Sequence, residues 1–241
     1  GYSLCKDLAH SLAKGGYVSF RYGKRSSIKK CAKTFLKEAS PQIFIDDAVH
    51  VANYLMKQSI HNKLPLFILG HSQGAGFAAE IAAGQRLSPS GLILMAGLGK
   101  YSIDVTLLRQ LKAQLSYKKL DENSKFAITH QINEGEKFFK AIRNGKAFAS
   151  QRYMGAYTKF WRDWMNMTET SAKTVRSLKI PSIVLQGNED ANVIRADFEA
   201  LSKATASHHS RQNSHPQAST QLQGPRPHCN YEIWRRIFCD S

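Results

Sequence analysis

The chain has 241 residues, 42% of them hydrophobic, enough to bury the core of one good-sized α/β domain. Lysines and arginines number 34 against 18 acids, a net charge of +16 that keeps acidic partners open, yet no nucleic-acid-binding motif accompanies it. No apolar run approaches the length of a membrane span, so no transmembrane segment is expected. Residues 1–7 lack a charged stretch followed by an apolar one, so no signal peptide is expected and the placement read is cytoplasmic.

Residues 7–14 read as an amphipathic helix with Leu4, Leu8, Leu12 and Ala13 on one side, stopped by Gly15-Gly16. Tyr17-Val18-Ser19-Phe20-Arg21 reads as a strand, and residues 23–40 as a basic loop. Lys24, Arg25, Lys29, Lys30, Lys33 and Lys37 follow one another there with no acid between them, which suits a solvated face or weak contact with an anionic surface. Residues 43–58 carry Ile45, Ala48, Val49, Ala52 and Leu55 at helical spacing. A strand over 66–69, a helix over 73–84 and an apolar strand over 91–96 come next.

Between 98 and 179 no strand is evident. Residues 107–115 and 134–142 look helical, and 153–167 is rich in aromatics (Tyr153, Tyr157, Phe160, Trp161, Trp164). This stretch reads as a helical cap inserted between sheet strands, its aromatics forming the cap's own core or, as the lesser reading, lining an apolar substrate pocket. Residues 183–187 are the last strand and 193–204 the last helix. Residues 205–241, rich in Ser, His, Gln and Pro as far as 227, read as an atypical, disordered tail. The core is thus expected over 1–97 and 180–204. Its strands are continuous apolar runs, the pattern of a mostly parallel sheet covered by helices on both faces. The four cysteines, Cys5, Cys31, Cys229 and Cys239, match neither a zinc spacing nor a dense disulfide framework, and read as free thiols, with a Cys229–Cys239 pair the alternative if the tail brings them together.

Gly70-His71-Ser72-Gln73-Gly74 has the form G-x-S-x-G. An apolar run leads in and a run of small residues leads out, which makes strand, sharp turn and helix: the setting of a nucleophile elbow. Such a turn presents Ser72 at the end of a strand, with a helix N-terminus behind it that favours negative charge. His71 lies inside the turn, points away from the serine hydroxyl and serves as a packing or hydrogen-bonding residue.

These features resemble the α/β-hydrolase superfamily, in particular its serine-aminopeptidase-like and acyl-esterase group. Beside the elbow, Leu94-Met95-Ala96-Gly97 followed by Leu107-Leu108-Arg109-Gln110-Leu111 is similar to the family's post-strand glycine and cap helix. Ile180-Pro181-Ser182-Ile183-Val184-Leu185-Gln186-Gly187-Asn188-Glu189-Asp190 is similar to its "P-x-L-x-x-x-G-x-x-D" strand and acid turn. The resemblance implies an α/β-hydrolase fold with Ser72 as nucleophile, Asp190 orienting a catalytic histidine and the Gln73 N–H as one oxyanion donor. An Asx-turn role is the alternative for Asp190, and Glu189 the neighbouring competitor. Neither cofactor nor metal is implied; the expected partner is a small-molecule ester or acyl substrate.

The pattern departs from the family's in three places. The "R-Y-D-x-R-G" segment stands as Arg21-Tyr22-Gly23-Lys24-Arg25-Ser26, without the aspartate. The strands and oxyanion loop that precede the first helix have no counterpart, so the second oxyanion donor has no candidate, and the sheet is left with exposed edges. No strand precedes a histidine turn after Asp190. His208, His209, His215 and His228 are on offer; His215 stands nearest the expected spacing, with His228 the alternative. The sequence therefore predicts a serine hydrolase acting on an ester, less readily an amide, through an acyl-enzyme. A catalytically incomplete relative, acting as a binding module or an inactive fragment, is the second reading, and a binder of nucleic acid or another anionic surface the third.

Overall fold

The computed structural model describes residues 4–27, 38–57, 64–117 and 120–205. The chain divides into two units, one that includes Gly1–Glu38 and one that spans Ala39–Ser219. In the first, helix α1 (Leu4–Lys14) ends at the glycine pair. Gly16 takes φ +81°, and the N–H groups of Gly15, Gly16 and Tyr17 return to the carbonyls of Ser11, Ala13 and Leu12. The last turn's orphan acceptors are satisfied in this way, at a φ that suits glycine. Arg25–Ser27 is a turn of 3-10 helix. Residues 17–21, expected as a strand, are irregular. A strand exists only against a partner's N–H and C=O groups, and among the described residues of this unit none supplies them.

The second unit runs α2 (Pro41–Met56), β1 (Phe67–His71), α3 (Gln73–Ala83), β2 (Gly91–Met95), α4 (Ile103–Gln114), α5 (Glu122–Arg143), β3 (Arg152–Tyr153), β4 (Ala156–Tyr157), α6 (Thr158–Ser177), β5 (Ser182–Leu185) and α7 (Arg195–Thr205). Pro41 opens α2, where its missing N–H costs no helical bond. The sheet order is β1-β2-β5, all parallel, with His71, Met95 and Leu185 in one register row. Parallel pairing sends the C-terminal ends of all three strands to the same edge. Helix α3 lies against β1 and β2, α7 lies against β5, and α6 packs on both helices. The core joins Ala75, Ala78 and Ala79 of α3, Leu92 and Leu94 of β2, Val175 and Leu178 at the end of α6, and Leu201 and Ala204 of α7. Alanines on α3 let that helix approach the sheet closely.

The central strand β2 is the most buried of the three, as its apolar run requires. The edge strand β1 departs from the expectation of two covered faces: Phe67, Leu69 and His71 share one face and are exposed. The opposite face, with Ile68 and Gly70, meets α3.

Between β2 and β5 a second apolar cluster gathers Ile103, Phe138, Phe139, Tyr153, Trp161 and Met165, flanked by Phe160 and Trp164. Edge-to-face and stacked ring pairs at 5.2–5.7 Å run through it, close to the preferred aromatic geometry. The hairpin β3–β4 was invisible in the pattern because each strand is two residues long. Its turn is made by Met154 and Gly155, both at positive φ. The helices of this segment are pinned by a charge network: Arg143, ending α5, donates to both carboxylate oxygens of Asp104 and to Ser102 Oγ at 2.9 Å, and to Glu169 of α6 at 2.8 Å. The Ser102 hydroxyl donates to Asp104 Oδ1. Burial works against the guanidinium charge, but the bonds and charges of Asp104 and Glu169 outweigh it and hold Arg143 above its ordinary value. No described helix is long and apolar enough to cross a membrane.

Candidate active site

Ser72 stands between β1 and α3 with φ +54° and ψ −119°. That is the first central position of a II′ turn, ordinarily a glycine's place, and for a residue with a Cβ it stores about 1–3 kcal/mol. The surroundings hold it there. Its N–H donates to Met95 O at 2.8 Å, extending the β1–β2 ladder by one bond, and its own C=O accepts from Ala75 N at 3.0 Å, opening the helix. Gly70 makes the turn possible: a Cβ built on it would lie 2.0 Å from Gly74 O and 2.7 Å from Ala75 Cα. A Cβ on Gly74 would meet nothing within 4 Å. The two glycines of the motif therefore do different work, and only the first is imposed by packing. Ser72 is exposed at the C-terminal edge of the sheet, and Gln73 begins α3 behind it. The first N–H groups of a helix have no intrahelical acceptor, so this is where an anion is favoured.

His71, expected to pack or bond within the turn, is exposed, and among the described residues its side chain makes no hydrogen bond. The strand's two-residue alternation explains the difference, since it puts His71 on the uncovered face beside Phe67 and Leu69.

The second expected residue, Asp190, follows β5 in a tight loop. Its N–H donates to Gly187 O at 3.2 Å, while its Oδ1 accepts from Asn192 N at 2.9 Å and Val193 N at 3.0 Å. This is an Asx-turn geometry, and it leaves Oδ2 without a hydrogen bond among the described residues. One oxygen is thus used to build the loop while the other remains available to a partner. Glu189 is exposed. Ser72 and the Asp190 loop leave the same sheet edge two strands apart, about 10 Å at the usual strand spacing. That is more than one hydrogen bond can span and suits a bridging side chain. His208, His209, His215 and His228 lie outside the described residues, as do residues 28–37 of the basic run and the tail beyond 205. Cys5 is a free thiol; the other cysteines fall outside the described residues. Among the described residues no cluster of His, Cys, Asp and Glu has the makings of a metal site.

Three side chains near this edge escaped the sequence reading. Asp197, in the first turn of α7, is fully buried, and its Oδ1 accepts from the backbone N–H groups of Gly99, Lys100 and Tyr101 at 2.9–3.2 Å. Arg109 and Gln110 of α4 both donate to Asn192 O, at 3.0 and 2.8 Å. An acid in a first helical turn is a local signal; nothing local announces which distant backbone atoms such side chains meet.

A parallel sheet with a strained serine turn at its C-terminal edge, an acid loop two strands away and helices on its flank define an α/β-hydrolase. The chain belongs to the family described as serine aminopeptidase, S33, whose model matches residues 2–219. It is 24% identical over 196 residues to the esterase EstD of Thermotoga maritima, covering 81% of this chain and 43% of the esterase. The chain thus spans less than half the length of that relative. Among solved structures it is similar to a thermostable carboxyl esterase from Bacillus coagulans (19% identity, 72% of this chain and 62% of that one, TM-score 0.46). It is also similar to a meta-cleavage product hydrolase from Pseudomonas fluorescens (13%, 71% and 62%, TM-score 0.40).

Proposed function

We propose that this protein is a serine hydrolase that cleaves a carboxylic ester, less readily an amide, through an acyl-enzyme. The observation that carries the reading is Ser72 held at φ +54° on an exposed turn at the sheet edge. Strain of that kind persists only where the surroundings enforce it, and it is concentrated at functional sites. Family membership and the likeness to an esterase support the same reading.

In this reading Ser72 Oγ attacks the substrate's carbonyl carbon while its proton passes to an imidazole. The Gln73 N–H stabilises the resulting oxyanion, a contribution of about 3–4 kcal/mol per donor in such sites. The tetrahedral species collapses, the C–O bond breaks, and the imidazole returns the proton to the leaving alcohol. Water then attacks the acyl-serine by the same route and regenerates Ser72. Asp190 accepts the imidazole N–H on Oδ2 and stabilises the imidazolium. His215 is the assigned base, with His228 the alternative. Residues 98–179 act as a cap over this edge and set which acyl or alcohol group enters. Its clustered aromatics serve as the cap's own core. The chemistry needs neither metal nor cofactor, and the protein is placed in the cytoplasm.

Labelling with a fluorophosphonate tests the assignment. Wild-type protein is labelled and hydrolyses p-nitrophenyl acetate; Ser72→Ala does neither. Folded wild-type protein that takes up no label overturns the reading. Replacing His215 and His228 separately assigns the base, and retained activity in both variants dismisses both residues.

A further inference from the structure

We infer that Arg109 and Gln110 of α4 are positioning residues for the Asp190 carboxylate, coupling the helical segment between β2 and β5 to the acid of the hydrolytic site. The inference rests on the proposed role of Asp190.

Within its own loop Asp190 is held by the turn to Gly187 and by the N–H groups of Asn192 and Val193 on Oδ1. Gln186 Nε2 closes the loop on Val193 O at 2.5 Å. All of these bonds lie between residues 186 and 193 and set the loop's shape, while β5 and α7 hold its two ends. A further tie comes from α4. Arg109 Nη2 and Gln110 Nε2 converge on Asn192 O. Asn192 therefore donates its N–H to Asp190 Oδ1 and gives its C=O to α4: one residue links the helix to the carboxylate. Two donors on one carbonyl fix the direction of that C=O better than one.

The donors are themselves anchored. The Arg109 guanidinium lies 5.8 Å from the centre of the Tyr101 ring. Tyr101 N–H is one of the three donors on buried Asp197 Oδ1, and Asp197 belongs to α7, the helix that follows the acid loop. The circuit runs from α7 through residues 99–101 to Arg109 and back to the acid loop. Buried polar atoms are usually hydrogen-bonded in native proteins. Among the described residues five buried side-chain polar atoms have no protein partner: Thr106 Oγ1, Arg109 Nε, Gln186 Oε1 and Asp197 Oδ2 lie on the elements of this circuit, and Trp164 Nε1 lies on α6.

The test uses the full chain with p-nitrophenyl acetate and compares wild type with Arg109→Ala/Gln110→Ala. The expected result is a fall of about tenfold in kcat with KM within about twofold, because geometry rather than binding is lost. The acid limb of the kcat/KM profile moves to lower pH, because an imidazole without an aligned carboxylate holds its proton less tightly. Amide exchange at Asn192 and Val193 rises about tenfold as the loop is released. Arg109→Lys, which keeps a donor, recovers most of kcat. Unchanged kcat and an unmoved acid limb in the folded double variant, with Asp190→Asn inactive, overturn the inference and leave the acid assignment standing. An active Asp190→Asn removes the acid assignment and this inference with it. Should the double variant not fold, Gln110→Met keeps the length and removes the donor without adding a charge. It then shows the same shift in the acid limb, or overturns the proposal if it does not.

Discussion

Replacing Gly70 by alanine tests whether the serine turn is imposed by packing. The added Cβ would lie 2.0 Å from Gly74 O, 2.4 Å from Gly74 C and 2.7 Å from Ala75 Cα. Ordinary carbon contacts are about 3.5–4.0 Å, so β1 and α3 must part by about an ångström or more. All three obstructing atoms are backbone, and no rotamer change moves them away. Parting the two elements also loosens Ala75 and Ala78, which belong to the core with Leu92 and Leu94. Overpacking a core typically costs about 1–3 kcal/mol, and the absence of any flexible neighbour puts this case at the top of that range. In a chain of this size each kcal/mol lowers Tm by about 2–4 °C, so a fall of about 6–12 °C is expected. Gly74→Ala is the internal control. It adds a Cβ with nothing within 4 Å, in the first turn of α3, where alanine gains up to about 1 kcal/mol over glycine in helix propensity. Its Tm should hold or rise slightly. Calorimetry of the two variants with fluorophosphonate labelling of Ser72 reads the comparison. A Gly70→Ala protein that melts within 2 °C of wild type (below the ~2–4 °C that a single kcal/mol produces) and labels at the same rate would falsify the packing argument. So would a Gly74→Ala protein that falls as far.

Three further outcomes follow from named contacts. Ser72→Gly should melt about 2–4 °C above Ser72→Ala, because relief of about 1–3 kcal/mol of backbone strain exceeds glycine's entropic cost of about 0.5–1 kcal/mol; equal melting temperatures would show that no strain is stored there. Arg143→Met strands the buried Asp104 carboxylate and should cost about 3–5 kcal/mol in urea unfolding, whereas Glu169→Gln, at the exposed end of the same network, should cost under about 1 kcal/mol; similar losses would contradict the burial argument. Burial raises the Tyr153 hydroxyl above its ordinary value. A raised folded value means stability that is present below the unfolded value near 10 and lost as pH climbs through the folded one. Tyr153→Phe, which also forfeits the bond to Gln131 O at 2.9 Å, should be less stable at neutral pH but decline less steeply above pH ~10; a parallel decline would assign the alkaline loss to other groups.

What the sequence determined on its own was whatever depends on neighbours along the chain. The order of strands and helices over 66–95 and 182–205 was readable from apolar runs and glycine stops. So was the turn at Ser72, because an apolar strand, two glycines and a run of small residues are all local. The strand expected over 17–21 failed for the complementary reason: its residues have the right propensity, but a strand is completed only by a partner's backbone. His71 was misplaced because exposure depends on which face of β1 the helix α3 covers. The tertiary structure alone decided that Ser72 takes a glycine's backbone angles, since Met95 O and the Gly70–Gly74 contact hold it there. It alone brought α4 onto Asn192 O and three backbone N–H groups onto Asp197, across separations of more than eighty residues. Such bonds follow from how helices pack on the sheet, and no local pattern of residue types encodes them.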